Sequence, residues 1–189
     1  IIDFNTNQSY AQLPEPQPYW YLKETVQKSI SIPFDNEDVA IDQLEKSLEK
    51  SISSQMLSDV PLGAFLSGGI DSSLIVSLMQ KNSIDPIKTF TIGFEDQSYD
   101  ESPFAKDISK HLGTNHTTIN VSDEDTISVI SKLGLMYDEP FADSSQIPTF
   151  LVANEAKKNV TVALSGDAGD ELFGGYNRYT HSRKIWNSM

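Results

Sequence analysis

The sequence predicts an α/β fold: a parallel, twisted sheet with helices on both faces. Three observations carry this. Short apolar runs alternate with helical segments along most of the chain, glycine-containing turns follow two of those runs, and 189 residues with 38% hydrophobic content suffice for one sizeable core. Strands alternating with helices at this spacing pair in parallel and are buried on both sides.

Residues 1–34 stand apart. Pro14, Pro16, Pro18 and Pro33 surround Tyr19, Trp20 and Tyr21 without helical or alternating periodicity, so a linker packing its aromatics on a neighbour, or a frayed tail, is expected. From residue 35 the pattern changes: Ile41, Leu44, Leu48, Ile52 and Met56 recur at helical spacing, with Asp35 or Asn36 as N-cap. Ser58 to Pro61 end this helix of about five turns, and Asp59 reads as a turn residue.

Residues 62–66 form the first predicted strand, broken at Ser67-Gly68-Gly69 before a helix that runs from Ser72 to about Lys81. A second strand covers residues 87–94 and ends in a turn at 93–96. Ser102 is expected to cap the next helix, with Pro103 at its first position and Gly113 past its end. A strand at 116–121 leads to a helix with Ser122 as cap and Asp125 at the capping-box position. Helix 147–156 and a last buried strand at 160–164 follow.

The formal net charge of −13 opposes non-specific binding to nucleic acid or anionic membranes, so any nucleotide site must be local, built from backbone amides and metal. Without cysteine there is no disulfide, thiolate metal site or cysteine nucleophile, which fits a reducing, cytoplasmic setting. No secretory signal precedes the first strand, and no apolar run approaches the roughly 20 residues that span a bilayer. A chain that begins without Met and stops at Met189, soon after a loop-like Asn177-Arg178-Tyr179, has the look of a fragment.

The turn from Ser67 to Ser73 is the candidate anion site. Glycines allow close backbone approach, a helix start offers unpaired N–H groups, and Ser67, Ser72 and Ser73 add hydroxyls. Asp71 would repel a phosphate unless Mg²⁺ bridges them or the carboxylate orients the loop. A Walker loop would need a lysine here, and none is present. A second turn of similar form, Ser165-Gly166-Asp167-Ala168-Gly169-Asp170-Glu171, follows the last strand. Three acidic residues within five positions suit a shared hard cation, although capping of the next helix is an alternative. In parallel sheets ligands bind beyond the carboxyl ends of the strands, which places the turns at 67–72, 93–96 and 165–171 near one another.

The string Ser67 to Ser73 resembles the pyrophosphate loop of N-type ATP pyrophosphatases. With residues 59–66, 165–176 and the intervening Phe-Thr-Ile-Gly-Phe-Glu, Tyr-Asp-Glu-Ser, His-Leu-Gly-Thr and Asp-Glu-Pro-Phe-Ala-Asp-Ser-Ser, the chain from about Asp59 to Tyr179 resembles the synthetase domain of glutamine-dependent asparagine synthetases. That resemblance implies a Rossmann-like, adenine nucleotide alpha hydrolase-like fold over residues 35–189. It implies ATP-dependent activation of the aspartate side chain as an acyl-adenylate and amidation by ammonia. Carried over by position, Ser67, Gly68, Gly69, Asp71, Ser72 and Ser73 would hold pyrophosphate, Leu66 and Ile92 would flank adenosine, and Ser165 with Gly166 would close that pocket. Asp71 and Asp170 would share Mg²⁺, and Asp71 and Asp167 would be catalytic. Asp167 stands where well-known members carry Glu, one methylene longer.

The same resemblance implies ammonia delivered by a covalently linked N-terminal glutaminase domain, with residues 1–34 as the connection, and allows a homodimer. These 189 residues lack the cysteine nucleophile and the further C-terminal part, so little synthetase activity is expected of them alone. Relatives that amidate uronic acids or close a β-lactam ring leave another acceptor acid open, and a non-catalytic nucleotide-binding module is a third reading. Residues 138–145 are either an acceptor-side wall or a surface loop. Tyr176, Arg178 and Tyr179 either contact substrate or lie on the surface, and His111 and His116 read as solvated or capping.

Overall fold

The computed structural model of the chain describes residues 16–96, 98 and 100–189. The chain divides into two compact units, Ile1–Lys46 and Ser47–Met189.

In the first unit, residues 22–31 correct the expectation of an irregular tail. They form helix α1 (Leu22–Ser31), in which no residue is buried. The prolines all lie outside these ten residues, and Leu22, Val26 and Ile30 recur at the spacing of one helix face. Helix α2 (Glu37–Gln55) begins as predicted. The Val39 N–H donates to Asn36 Oδ1 at 2.9 Å, which makes Asn36 the cap.

The second unit holds a four-stranded sheet. Its strands are β1 (Leu62–Phe65), β2 (Lys88–Phe94), β3 (Asn115–Val121) and β4 (Val162–Leu164), in the order β3-β2-β1-β4. All three pairings are parallel, with Ala64 opposite Thr89 and Leu164, and Thr89 opposite His116. The chain steps outward from β1 to β3 and then returns to the other side of β1, so strand order reverses between β1 and β4. In open α/β sheets ligands bind at such a reversal.

Between the strands lie α3 (Ile70–Lys81), α4 (Ser102–Leu112), α5 (Asp123–Met136) and α6 (Gln146–Ala156). Two apolar clusters show that both faces are covered. On one, Leu66 of the β1 end packs with Val76 and Met79 of α3, Ala105 of α4 and Ile52 of α2; on the other, Phe90 of β2 meets Val152 and Ala156 of α6. Alternation along β1 sends Ala64 and Leu66 to the first face and Phe65 to the second.

Several boundaries follow the sequence closely. The capping box at α5 is complete: Asp125 N–H donates to Ser122 Oγ at 3.2 Å, and Ser122 N–H donates to Asp125 Oδ2 at 3.0 Å. Gly113 ends α4 in the left-handed conformation at φ 75°.

Others are corrected. Ser102 is already helical, and Asp100 does the capping, accepting from Ser102 N–H at 3.0 Å and from Phe94 N–H at 3.4 Å. Helix α3 starts at Ile70 rather than Ser72, because extended Gly69 accepts the first helical bond from Ser73 N–H at 3.1 Å. The loop-like stretch at 177–179 opens helix α8 (Asn177–Trp186), preceded by the short α7 (Gly169–Phe173).

His116 is neither solvated nor a cap. Its Nδ1 lies 2.9 Å from Thr89 Oγ1, its Nε2 is buried without a hydrogen-bond partner, and burial pushes its pKa below the ordinary histidine value, with Lys106 adding to the effect. No helix among the described residues is long and apolar enough to cross a membrane.

Candidate active site

The carboxyl ends of β1, β2 and β4 open into a cavity of about 880 Å³, within the usual range for a small-molecule site. Its first wall is the turn from β1 into α3. Ser67 N–H donates to Ser72 Oγ at 3.2 Å, the Ser67 and Ser72 hydroxyls lie 3.0 Å apart, and Gly69 N–H donates to Ser67 Oγ at 3.3 Å. Ser73 Oγ is tied to the Gly69 carbonyl at 2.6 Å. The turn is therefore braced by its own hydroxyls, while the N–H groups of Ile70, Asp71 and Ser72 precede the first helical bond and point out of the helix end.

Gly68 makes that turn possible. Its φ is +91°, and an added Cβ would lie 2.9 Å from Phe104 Cβ and 3.0 Å from Ala105 N, so the first turn of α4 backs the loop directly.

The second wall is the turn from β4 into α7. Gly166 lies so close to α3 that a Cβ there would meet Ser72 N at 2.7 Å and the Asp71 carbonyl carbon at 2.9 Å. A Cβ on Gly169 would overlap the Asp71 carboxylate, and one on Gly175 would overlap Asp170. Asp71 is thus set against the second turn. Ser165 Oγ donates to Asp167 Oδ2 at 2.9 Å, and Tyr176 OH donates to Glu171 Oε1 at 2.9 Å. That bond, burial and the nearby charges of Glu171 and Asp170 raise the Tyr176 pKa, while Arg178, 4.2 Å over its ring, opposes them.

Of the residues singled out in the sequence, Leu66, Ser67, Gly69, Asp71, Ser72, Ile92, Ser165, Gly166, Asp167 and Asp170 all line this one cavity. Gly68 and Ser73 do not; they shape the turn from behind. The third expected turn, at 93–96, contributes less than β2 itself, through Phe90, Thr91, Ile92 and Phe94.

Glu101, Ser145 and Thr149 also line the cavity and were not singled out individually. A signal for Thr149 was available: a lone hydroxyl in an apolar helical run, one turn on from Ser145 and one turn before Val152.

The charged lining among the described residues is wholly acidic, comprising Asp71, Glu101, Asp167 and Asp170, with no Lys, Arg or His. No group of three or more His, Cys, Asp or Glu gathers there or elsewhere among the described residues into an all-protein metal cage. Such a donor set fits a divalent cation that arrives with phosphate and takes only one or two protein carboxylates.

A β1 turn into a helix start, joined to a β4 turn at the strand-order reversal, defines a parallel α/β fold with its cavity beyond the carboxyl ends of the strands. Solved structures share that fold: the NMN synthetase of Francisella tularensis (TM-score 0.52, 16% identity, 73% of this chain and 59% of that one) and the NH3-dependent NAD synthetase of Campylobacter jejuni (TM-score 0.50, 15% identity, 72% and 60%). Residues 43–189 match the family described as asparagine synthase, and the chain belongs to that family.

Two curated relatives are similar over most of it. Asparagine synthetase [glutamine-hydrolyzing] 1 of Bacillus subtilis is 46% identical over 143 residues, which is 76% of this chain and 22% of that protein. Putative asparagine synthetase [glutamine-hydrolyzing] 2 of Methanocaldococcus jannaschii is 43% identical over 177 residues, 93% of this chain and 31% of that protein. The chain thus spans less than a third of either relative.

Proposed function

We propose that this chain is the ATP-using part of a glutamine-dependent asparagine synthetase. The observation that carries the reading is the meeting of the two turns: Gly166 against the first turn of α3, and Asp71 against Gly169, gathering N–H donors, hydroxyls and carboxylates around one cavity. The glutamine-hydrolyzing names of its relatives support it.

In this reading the triphosphate of ATP lies across the start of α3, held by the N–H groups of Ile70, Asp71 and Ser72 and by the Ser67 hydroxyl. Leu66 and Ile92 flank the adenosine, and Ser165 and Gly166 close over it. Asp71 and Asp170 would hold Mg²⁺, which supplies charge neutralisation for the leaving pyrophosphate.

An oxygen of the aspartate side-chain carboxylate attacks the α-phosphorus. The new O–P bond forms as the bond to the bridging oxygen breaks and pyrophosphate leaves. Ammonia then attacks the acyl carbon, sheds a proton and displaces AMP, giving asparagine. Asp167, bonded to Ser165 Oγ and lining the cavity, takes that proton in this reading. Residues 1–34 would connect to a glutaminase domain that supplies the ammonia.

The test is pyrophosphate release by the full-length protein with ATP, ammonia and a panel of acids. Release that requires aspartate, with asparagine formed in equal amount, is expected. Release only with a uronic acid would replace the acceptor and keep the chemistry. Absence of Mg²⁺-dependent ATP binding would overturn the reading altogether.

A further inference from the structure

We infer that Glu101 is a nucleotide-specificity residue, its carboxylate accepting a hydrogen bond from the ribose diol of ATP. The inference rests on the ATP reading above.

Glu101 lines the cavity, yet the helix it precedes makes no use of its side chain. Capping falls to Asp100, which accepts from Ser102 N–H at 3.0 Å and from Phe94 N–H at 3.4 Å. That pair of bonds pins the start of α4 to the end of β2, the apolar wall offered by Ile92 and Phe94. Three residues further on, Phe104 and Ala105 back Gly68, within 2.9–3.0 Å of where a Cβ would sit. Glu101 is therefore fixed between the β2 wall and the glycine turn.

A nucleotide with its base on β2 and its phosphates on the turn has only its sugar in that interval. Asp71 is set against Gly169 of the second turn, Asp170 against Gly175 just beyond α7, and Asp167 is bonded to Ser165, so the other three acids are already engaged around the second turn, across the cavity from the β2 end. Among the described residues no cation lines the cavity to answer a carboxylate beside the sugar, which is left to accept from donors. The ribose hydroxyls are donors, and an acid after the second strand is well placed to take them.

The test is equilibrium binding, by calorimetry with Mg²⁺, of ATP, 2′-deoxy-ATP and 3′-deoxy-ATP to the full-length protein and to its Glu101→Ala and Glu101→Gln variants. A hydrogen bond to a charged acceptor predicts that the unsubstituted chain binds at least one deoxy nucleotide about tenfold more weakly than ATP. Glu101→Ala should bring that ratio close to one, and Glu101→Gln should leave an intermediate ratio. Because the readout is a ratio within each variant, a general loss of affinity does not mimic it.

Equal binding of all three nucleotides by the unsubstituted chain overturns the inference, as does a tenfold penalty that persists in Glu101→Ala. Either result leaves the ATP reading standing. No saturable ATP binding by the unsubstituted chain overturns both.

Discussion

The turns after β1 and β4 look alike in sequence and differ in how they are held. The first is braced from every side: its serines bond one another, α4 lies behind Gly68, and the helix it opens buries Ser72, Val76 and Met79. The second opens a five-residue helix with no buried residue, and Ala168 stands at its start with φ 73°, the one described non-glycine residue in the left-handed region. It is located by the first turn, through Gly166 and Gly169. One turn is a fixed support; the other takes its position from it.

The largest effect should come from Gly166→Ala, since the new methyl would meet backbone atoms of Ser72 and Asp71 that cannot rotate away. A loss of about 2 kcal/mol in denaturant unfolding and a roughly hundredfold weakening of ATP binding are expected. Unchanged binding would mean that the two turns do not act as a pair.

Gly169→Ala meets only the Asp71 side chain, which can turn aside. Stability should stay within about 1 kcal/mol, while the Mg²⁺ concentration that supports half-maximal ATP binding rises about tenfold. A large loss of stability here would make the second turn as rigid as the first.

Ser72→Ala removes a hydroxyl that accepts from Ser67 N–H and lies against Ser67 Oγ in a nearly closed setting. A cost of about 1–2 kcal/mol in the melting or denaturant midpoint is expected. Ala168→Gly should do the reverse and stabilise the fold by up to about 1 kcal/mol, because relief of left-handed backbone strain exceeds the added freedom of the unfolded chain. Any loss of stability on that substitution would show that the methyl of Ala168 packs usefully.

The same contrast explains what could be read from the residues alone. Elements with a buried stripe were legible: β1, β2, α3 through α6, the Ser122–Asp125 capping box and the Gly113 stop all have one-dimensional signals, whereas β4, expected as a buried strand over 160–164, is a shorter edge strand at 162–164 with no buried residue. Helices α7 and α8 were not, because their exposed residues carry little apolar periodicity, and α1 is missed because the prolines around it outweigh the helical spacing of Leu22, Val26 and Ile30. The start of α3 is expected two residues late. The apolar run resumes at Ser72, yet Ser72 already lies inside the first turn, its Oγ accepting from Ser67 N–H, and Gly69 is the residue that starts the helix. In the site, motif residues were found because glycine and acid stand together in short strings. Thr149 reaches the cavity from α6 and Glu101 from just before α4; Glu101 stands in the Tyr-Asp-Glu-Ser string that helps carry the family resemblance, but only the three-dimensional course of the chain shows that both line the cavity.

The strand order has an entropic side. β2 and β3 pair residues such as Lys88 and Asn115, close in sequence, whereas β1 and β4 pair Leu62 with Val162, roughly a hundred residues apart. Closing the longer loop costs more chain entropy, so the β1–β4 pairing is the less local of the two. Since the two turns flank it, the cavity exists only once the most distant parts of the unit have met. On the reading proposed above, ATP binding would then report that β1 and β4 have paired.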